Sequence, residues 1–186
     1  MSYLDRHQEQ KFDPSKLLPN TKSVISVRLD YLPLEAKALD ALKNKNIAYI
    51  SRYALGRDYH KVMRAKLKKL ISHIKESLKD EFQFRLFTDS APVQEVEIAE
   101  KAGLGWRGKH TLLLNKDHGS WFFLGEIYTD IPLPSDTNTS KHCGSCSACI
   151  DICPTSAIIA PYKLDARKCI SYLTIEHKDS IPVEYR

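Results

Sequence analysis

Between residues 23 and 32 the chain alternates. Ile25, Val27, Leu29 and Tyr31 fall on one side and Val24, Ser26, Arg28 and Asp30 on the other, a period of two that predicts a strand ending before Pro33. After Arg57 and Asp58 the period changes: Met63, Leu67, Leu70, Ile71, Ile74 and Leu78 recur at steps of three and four. That spacing predicts an amphipathic helix with Asp58 as its N-cap. Phe82, Phe84 and Leu86 alternate with Gln83 and Arg85, so FQFRLFTDS reads as a second strand whose C-terminal end delivers Asp89. VQEVEIAEKA (93–102) predicts a second helix, stopped by Gly103 where a left-handed residue is favoured. TLLLN (111–115) and WFFLGEIYTD (121–130) flank Lys116-Asp117-His118-Gly119, which predicts a hairpin. Pro132, Pro134 and the polar run from Ser135 to Lys141 read as a linker, and beyond it short loops carry one strand-like piece around residues 157–160. The expected organisation is an α/β (α+β) domain over 1–134 and a metal-binding module over 135–186.

With 186 residues, 42% of them hydrophobic, the chain is long enough to bury a core. No apolar stretch approaches the roughly 20 residues of a membrane span, and Met1 to Lys11 is charged throughout, without the apolar centre of a signal peptide. A soluble, cytoplasmic protein with no membrane partner is expected. Lys and Arg number 28 against 23 Asp and Glu, a net charge of +5. That excess permits an anionic partner, although a solvated helix face is the simpler reading of the stripe Lys61, Arg64, Lys66, Lys68 and Lys69.

Cysteine changes the picture most. All five lie between residues 143 and 169, an odd, clustered set unlike the spread, even set of a disulfide scaffold. Cys143, Cys146, Cys149 and Cys153-Pro154 follow the two-, two- and three-residue gaps of the bacterial ferredoxin run. In that run three thiolates hold three corners of one [4Fe-4S] cube and the fourth serves a second cube. A zinc site more often pairs two separated C-x2-C knuckles. Two cubes need eight ligands. Cys153 and Cys169 supply two for the second, so three thiols are unaccounted for, and the chain reads as truncated before a second cysteine run.

Gly103, Gly105 and Gly108 spell the dinucleotide fingerprint, but a helix precedes them and a strand follows, the reverse of what holds a pyrophosphate. GLGWRGKH therefore reads as a tight basic loop carrying Arg107, Lys109 and His110. Asp89, at the end of its strand, suits equally an N-cap of the following helix and a proton donor of the kind that burial creates.

Almost the whole chain then resembles the epoxyqueuosine reductases: YLDRH, SVISVRLDYLP, SRYALGRDYHK, FTDSAP, KAGLGWRGKHTLLLN, GSWFFLGEIYTDIPLP, HCGSCSACIDICPTSAI and LDARKCISYLTIEH. The resemblance implies a cobalamin-binding domain of the nitroreductase-like type followed by a ferredoxin-like module. It implies reduction of epoxyqueuosine at the tRNA wobble position, the last step of queuosine synthesis, with base-off cobalamin, two [4Fe-4S] clusters and an external electron donor. On this sequence it implies Asp89 as proton donor and Cys143, Cys146 and Cys149 for the first cube. Cys153 and Cys169 fall to the second, and Lys11, Ser51, Leu113, Leu124 and Ser171, with Asp89, to the corrin. Family members carry an additional N-terminal stretch and a C-terminal helical repeat region, so a chain truncated at both ends is expected. A ferredoxin-type electron-transfer module and a related corrinoid reductase, such as a reductive dehalogenase, are the alternatives.

Overall fold

The computed structural model describes residues 6–32 and 38–186; the start of the YLDRH motif and Pro33 lie outside the described residues. In chain order the elements are α1 (Gln8–Phe12), β1 (Ser23–Asp30), α2 (Ala38–Lys43), α3 (Tyr59–Leu78), β2 (Phe84–Phe87), α4 (Glu95–Lys101), β3 (Trp106–Arg107), β4 (Leu113–Leu114), β5 (Phe122–Thr129), α5 (Ala148–Asp151), β6 (Ile158–Ala160) and β7 (Lys163–Leu164). β5 runs antiparallel to β1 on one side and to β2 on the other, giving the sheet order β1-β5-β2.

The alternation of β1 decides which side meets which helix. Ile25, Val27 and Leu29 pack, with Ile127 of β5, against the stripe Met63, Leu67 and Ile71 of α3. Burying each of those stripe side chains contributes ~1.5–3 kcal/mol as an upper estimate. α3 starts as its sequence predicts, Asp58 Oδ1 accepting the His60 N–H at 2.9 Å. The helix rests on the sheet at Gly125, where an added Cβ would stand 3.1 Å from Met63 Cγ and 3.3 Å from Leu67 Cδ1. On the opposite side the register aligns Val24 with Tyr128, Ser26 with Glu126 and Arg28 with Leu124. Two smaller clusters cover that side: Leu17, Phe87 and Tyr128 form one, and Ala99 of α4 with Leu113 and Phe122 forms the other.

The expected hairpin between TLLLN and WFFLGEIYTD does not form a ladder. β4 pairs with β3 instead, Trp106 opposite Leu114 and Arg107 opposite Leu113. Both edges of β5 are taken by β1 and β2, which leaves none for β4, and a single bridge between Asn115 and Gly119 closes the turn. The strand-like piece near 157–160 is half of a two-stranded ribbon, β6 with β7. Residues 131–147 hold neither helix nor strand, yet they are strapped down. The Leu133 N–H donates to Ser23 Oγ at 2.9 Å and the Thr139 hydroxyl to the Gly103 carbonyl at 2.7 Å. Among the described residues no helix is long and apolar enough to cross a membrane.

Candidate functional site

β2 ends at Phe87, and the next two residues turn the chain into the site. Thr88 is buried and its hydroxyl donates to the Leu124 carbonyl at 3.1 Å. Asp89 adopts φ 52°, a left-handed conformation that costs a non-glycine residue about 1–3 kcal/mol. Several contacts hold it there. Glu95 Oε1 accepts its backbone N–H, and its Oδ2 accepts the Tyr59 hydroxyl. His60 Nε2 lies 3.4 Å from the same oxygen, while His60 Nδ1 lies 2.9 Å from Asp58 Oδ1. Arg64 donates to the hydroxyl of neighbouring Ser90 at 2.6 Å. The first two turns of α3 thus aim Tyr59, His60 and Arg64 at the end of β2. Tyr59 stacks between the Phe123 ring, 4.1 Å away and parallel to within 1°, and the His60 ring at 4.0 Å.

Asp89 is not the N-cap of the following helix. Gln94 holds that position, and α4 begins five residues too late for Asp89 to reach it. Nor is Asp89 buried, its side chain being 57% exposed. The burial lies immediately behind it. Glu126 of β5 is 0% exposed, and neither of its carboxyl oxygens meets a hydrogen-bond partner among the described residues. Desolvation, then the Glu95 charge facing it, pushes Glu126 up to about 9. Desolvation also pushes Glu95 up to about 7, opposed by the Asp89 N–H it accepts. Two carboxyl groups this close and this dry do not both ionise near neutrality. Glu95, which holds the N–H, carries the charge and Glu126 keeps its proton. The Tyr59 phenol is raised by desolvation and then by Asp89, so it stays a neutral donor.

Tyr59, His60, Glu95 and Glu126 were not singled out by the sequence patterns. Glu126 left one signal: alternation puts it on the same side of its strand as Leu124 and Tyr128, where an acid inside an apolar run is unexpected.

The residues implied for a corrin are spread over several elements. Leu113 and Leu124 pack in one cluster beneath α4, and the Leu124 backbone is tied to Thr88 beside Asp89. Ser51 precedes the turn Arg52–Ala54. Burial and then Tyr53 of that turn raise the phenol of Tyr31, whose ring lies 4.5 Å from Phe123. Lys11 lies on α1, and Ser171 precedes the turn Tyr172–Glu176. Asp89 is thus an anchored but exposed carboxyl group, tied through Thr88 and the Leu124 carbonyl to the apolar cluster of Ala99, Leu113 and Phe122.

The five thiols lie between residues 143 and 169. The loop of Cys143 and Cys146 is closed by the Cys146 N–H donating to the Cys143 carbonyl at 2.9 Å, and Cys149 sits on α5. Two side chains of the Gly103–His110 segment hold it. Trp106 Nε1 donates to Cys143 Sγ at 3.3 Å, and Lys109 Nζ donates to the Gly144 and Cys146 carbonyls at 2.8 and 2.7 Å. Cys153 Sγ accepts the Ala157 N–H at 3.3 Å; desolvation raises this thiol, but the N–H groups of Ile158 and Ala157 with the Thr155 hydroxyl bring it below its ordinary value. Cys169 ends the turn Ala166–Lys168, and all five cysteines are free of disulfides. Among the described residues no three His, Cys, Asp or Glu side chains stand close enough to share one metal ion. The Cys143 and Cys153 sulfurs each accept an N–H, as the ligating sulfurs of iron-sulfur clusters do.

Residues 11–90 match the family described as Epoxyqueuosine reductase QueG, DUF1730, and residues 142–186 match the 4Fe-4S double cluster binding domain. The chain is 54% identical to the epoxyqueuosine reductase of Pseudomonas aeruginosa over 187 residues, covering 100% of this chain and 52% of that protein. It is likewise 54% identical to that of Escherichia coli over 186 residues, covering 100% and 49%. A crystal structure of epoxyqueuosine reductase with a tRNA-Tyr epoxyqueuosine-modified stem loop superposes with TM-score 0.84 at 30% identity, covering 100% of this chain and 49% of that one. The Bacillus subtilis enzyme, with its aspartate catalytic loop swung out of the active site, superposes with TM-score 0.82 at 33% identity, covering 97% and 47%. The chain spans about half the length of the curated relatives it matches.

Proposed function

This chain belongs to the epoxyqueuosine reductase family, and from that premise we propose that it carries the catalytic face of an enzyme reducing epoxyqueuosine to queuosine at the tRNA wobble position. The observation that carries the reading is Asp89, an exposed carboxyl group held in a strained left-handed conformation by Glu95 and Tyr59. Strain of that kind persists where surrounding contacts impose it, and it gathers at reacting centres. The relative named for its aspartate catalytic loop and the relative solved with a modified tRNA stem loop both support it.

Opening an epoxide to an alkene and water consumes two electrons and two protons. Cobalamin, when bound, would supply low-valent cobalt chemistry, and two [4Fe-4S] clusters fed by an external donor would supply the electrons. Positioning and proton delivery fall to this chain. Asp89 delivers one proton to the oxygen that leaves as water, and solvent supplies the other. Tyr59 and His60, on one rigid helix, fix its carboxyl group, and Glu95 fixes its backbone. Cys143, Cys146 and Cys149 hold three corners of one cluster, and Cys153 and Cys169 serve the second. Lys11, Ser51, Leu113, Leu124 and Ser171 border the corrin, with residues 1–134 as the cobalamin-binding unit and 135–186 as the cluster module. A tRNA substrate places the reaction in the cytoplasm.

An anaerobic absorbance titration with cob(II)alamin, paired with conversion of epoxyqueuosine tRNA, tests the reading. A saturating spectral change and an oxygen-free nucleoside are expected. Cluster absorbance with neither would instead identify an electron-transfer module.

A further inference from the structure

The Gly103–His110 segment matches a nucleotide-binding pattern it does not use, and its place in the fold gives it another task. We infer that Trp106 tunes the reduction potential of the cluster held by Cys143, Cys146 and Cys149, donating its indole N–H to the Cys143 sulfur while Lys109 clamps the same loop. The inference rests on the cluster reading above.

The indole N–H is a donor only, and here its acceptor is sulfur at 3.3 Å. Trp106 is 7% exposed, so water does not compete for that bond. The ring is positioned from the α/β side of the molecule. Trp106 lies in β3 opposite Leu114, and its ring meets His142 edge-on at 4.7 Å. Gly105 allows this closeness, since an added Cβ would stand 2.0 Å from the Leu114 carbonyl oxygen. Gly103, at φ 73°, leaves room for the Thr137 carbonyl, which an added Cβ would approach to 2.7 Å. The glycines therefore seat the thiol loop on β3 and β4.

A hydrogen bond to a ligating sulfur draws electron density from the iron-sulfur bond and favours the more negative, reduced cluster. The Lys109 ammonium, held against two carbonyls of the same loop, adds positive charge in the same sense. Both raise the potential.

The test uses Trp106→Phe in the cluster-loaded protein, which keeps an aromatic ring and removes the donor. Iron and sulfide content are expected to match the parent, with a lower midpoint potential in a redox titration followed by electron paramagnetic resonance and a shifted iron–thiolate stretch in resonance Raman spectra. Full loading with an unchanged potential and stretch would overturn the inference. Should the variant fail to load, the tryptophan of the unsubstituted position answers. The chain has two tryptophans, so Trp121→Phe protein labelled with 15N-indole reports on Trp106 alone. A hyperfine coupling from its nitrogen to the reduced cluster is expected, and its absence overturns the inference. A parent protein that takes up no cluster would bring down the cluster reading itself, and this inference with it.

Discussion

Glu95 Oε1 accepts the backbone N–H of Asp89, so the residue that opens α4 fixes a residue two positions past the end of β2. The bond explains how a non-glycine residue stays at φ 52° on an exposed surface. It also ties the exposed acid to a buried one, because Glu126 lies behind Glu95 and shares its titration.

The buried pair makes stability depend on pH. Both carboxyl groups titrate above their ordinary 4.5, Glu95 near 7 and Glu126 near 9. The folded state therefore holds protons that the unfolded chain releases. Their contribution is full below about 4.5 and is lost as pH rises through 7 and then 9. Glu126→Gln should flatten that decline and gain ~1–3 kcal/mol over the parent at the alkaline end. Urea unfolding of both proteins across this range checks it, and parallel pH dependences would contradict it.

Tyr59→Phe removes the hydroxyl bound to Asp89 and keeps the ring stacked on Phe123. A hydrogen bond to a charged group contributes roughly 1.5–3 kcal/mol, so single-turnover reduction should slow about 10- to 100-fold with little change in unfolding midpoint. An unchanged rate would remove Tyr59 from the site.

Gly125→Val would drive a branched side chain into Met63 and Leu67 of α3. Overpacking of this kind costs about 1–3 kcal/mol, and Gly125→Ala should cost less. Denaturation midpoints order the three proteins, and equal midpoints would show that α3 is free to shift.

Cys146→Ala should cut the broad visible absorbance and the bound iron while the far-ultraviolet dichroism of the α/β part is retained. Full iron content in that variant would exclude Cys146 as a ligand.

Much of the framework was legible from periodicity. The strand, which ends at Asp30, the buried stripe of Met63, Leu67 and Ile71, the Asp58 cap and the Gly103 stop appear where the pattern puts them, because each is a local property of a half-buried strand or helix, whereas Leu70 and Leu78 of the expected stripe are exposed. Strand pairing was not legible in the same way. TLLLN and WFFLGEIYTD look like hairpin arms, but competition for the two edges of β5 is settled by residues about forty and about a hundred positions earlier. The cysteine spacing could be read as an iron-sulfur module because ligand loops are local, and residues 142–186 match the 4Fe-4S double cluster binding domain. Tyr59 and Glu95 acquire their roles only through the approach of α3 and α4, and nothing in their own neighbourhoods distinguishes them; Glu126 left only its place as an acid in an apolar run. The glycine pattern shows the converse, a local signature whose use is decided by the thiol loop packed against it.

The central claim is that Asp89 supplies the proton to the departing oxygen. Anaerobic single-turnover conversion of tRNA bearing epoxyqueuosine, read by mass spectrometry of the released nucleosides, tests it in the parent and in Asp89→Asn carrying the same cofactors. The parent should yield the nucleoside lighter by one oxygen, and the variant should bind corrin and cluster yet lose ~100-fold or more in rate. Conversion by Asp89→Asn at the parental rate would contradict the account.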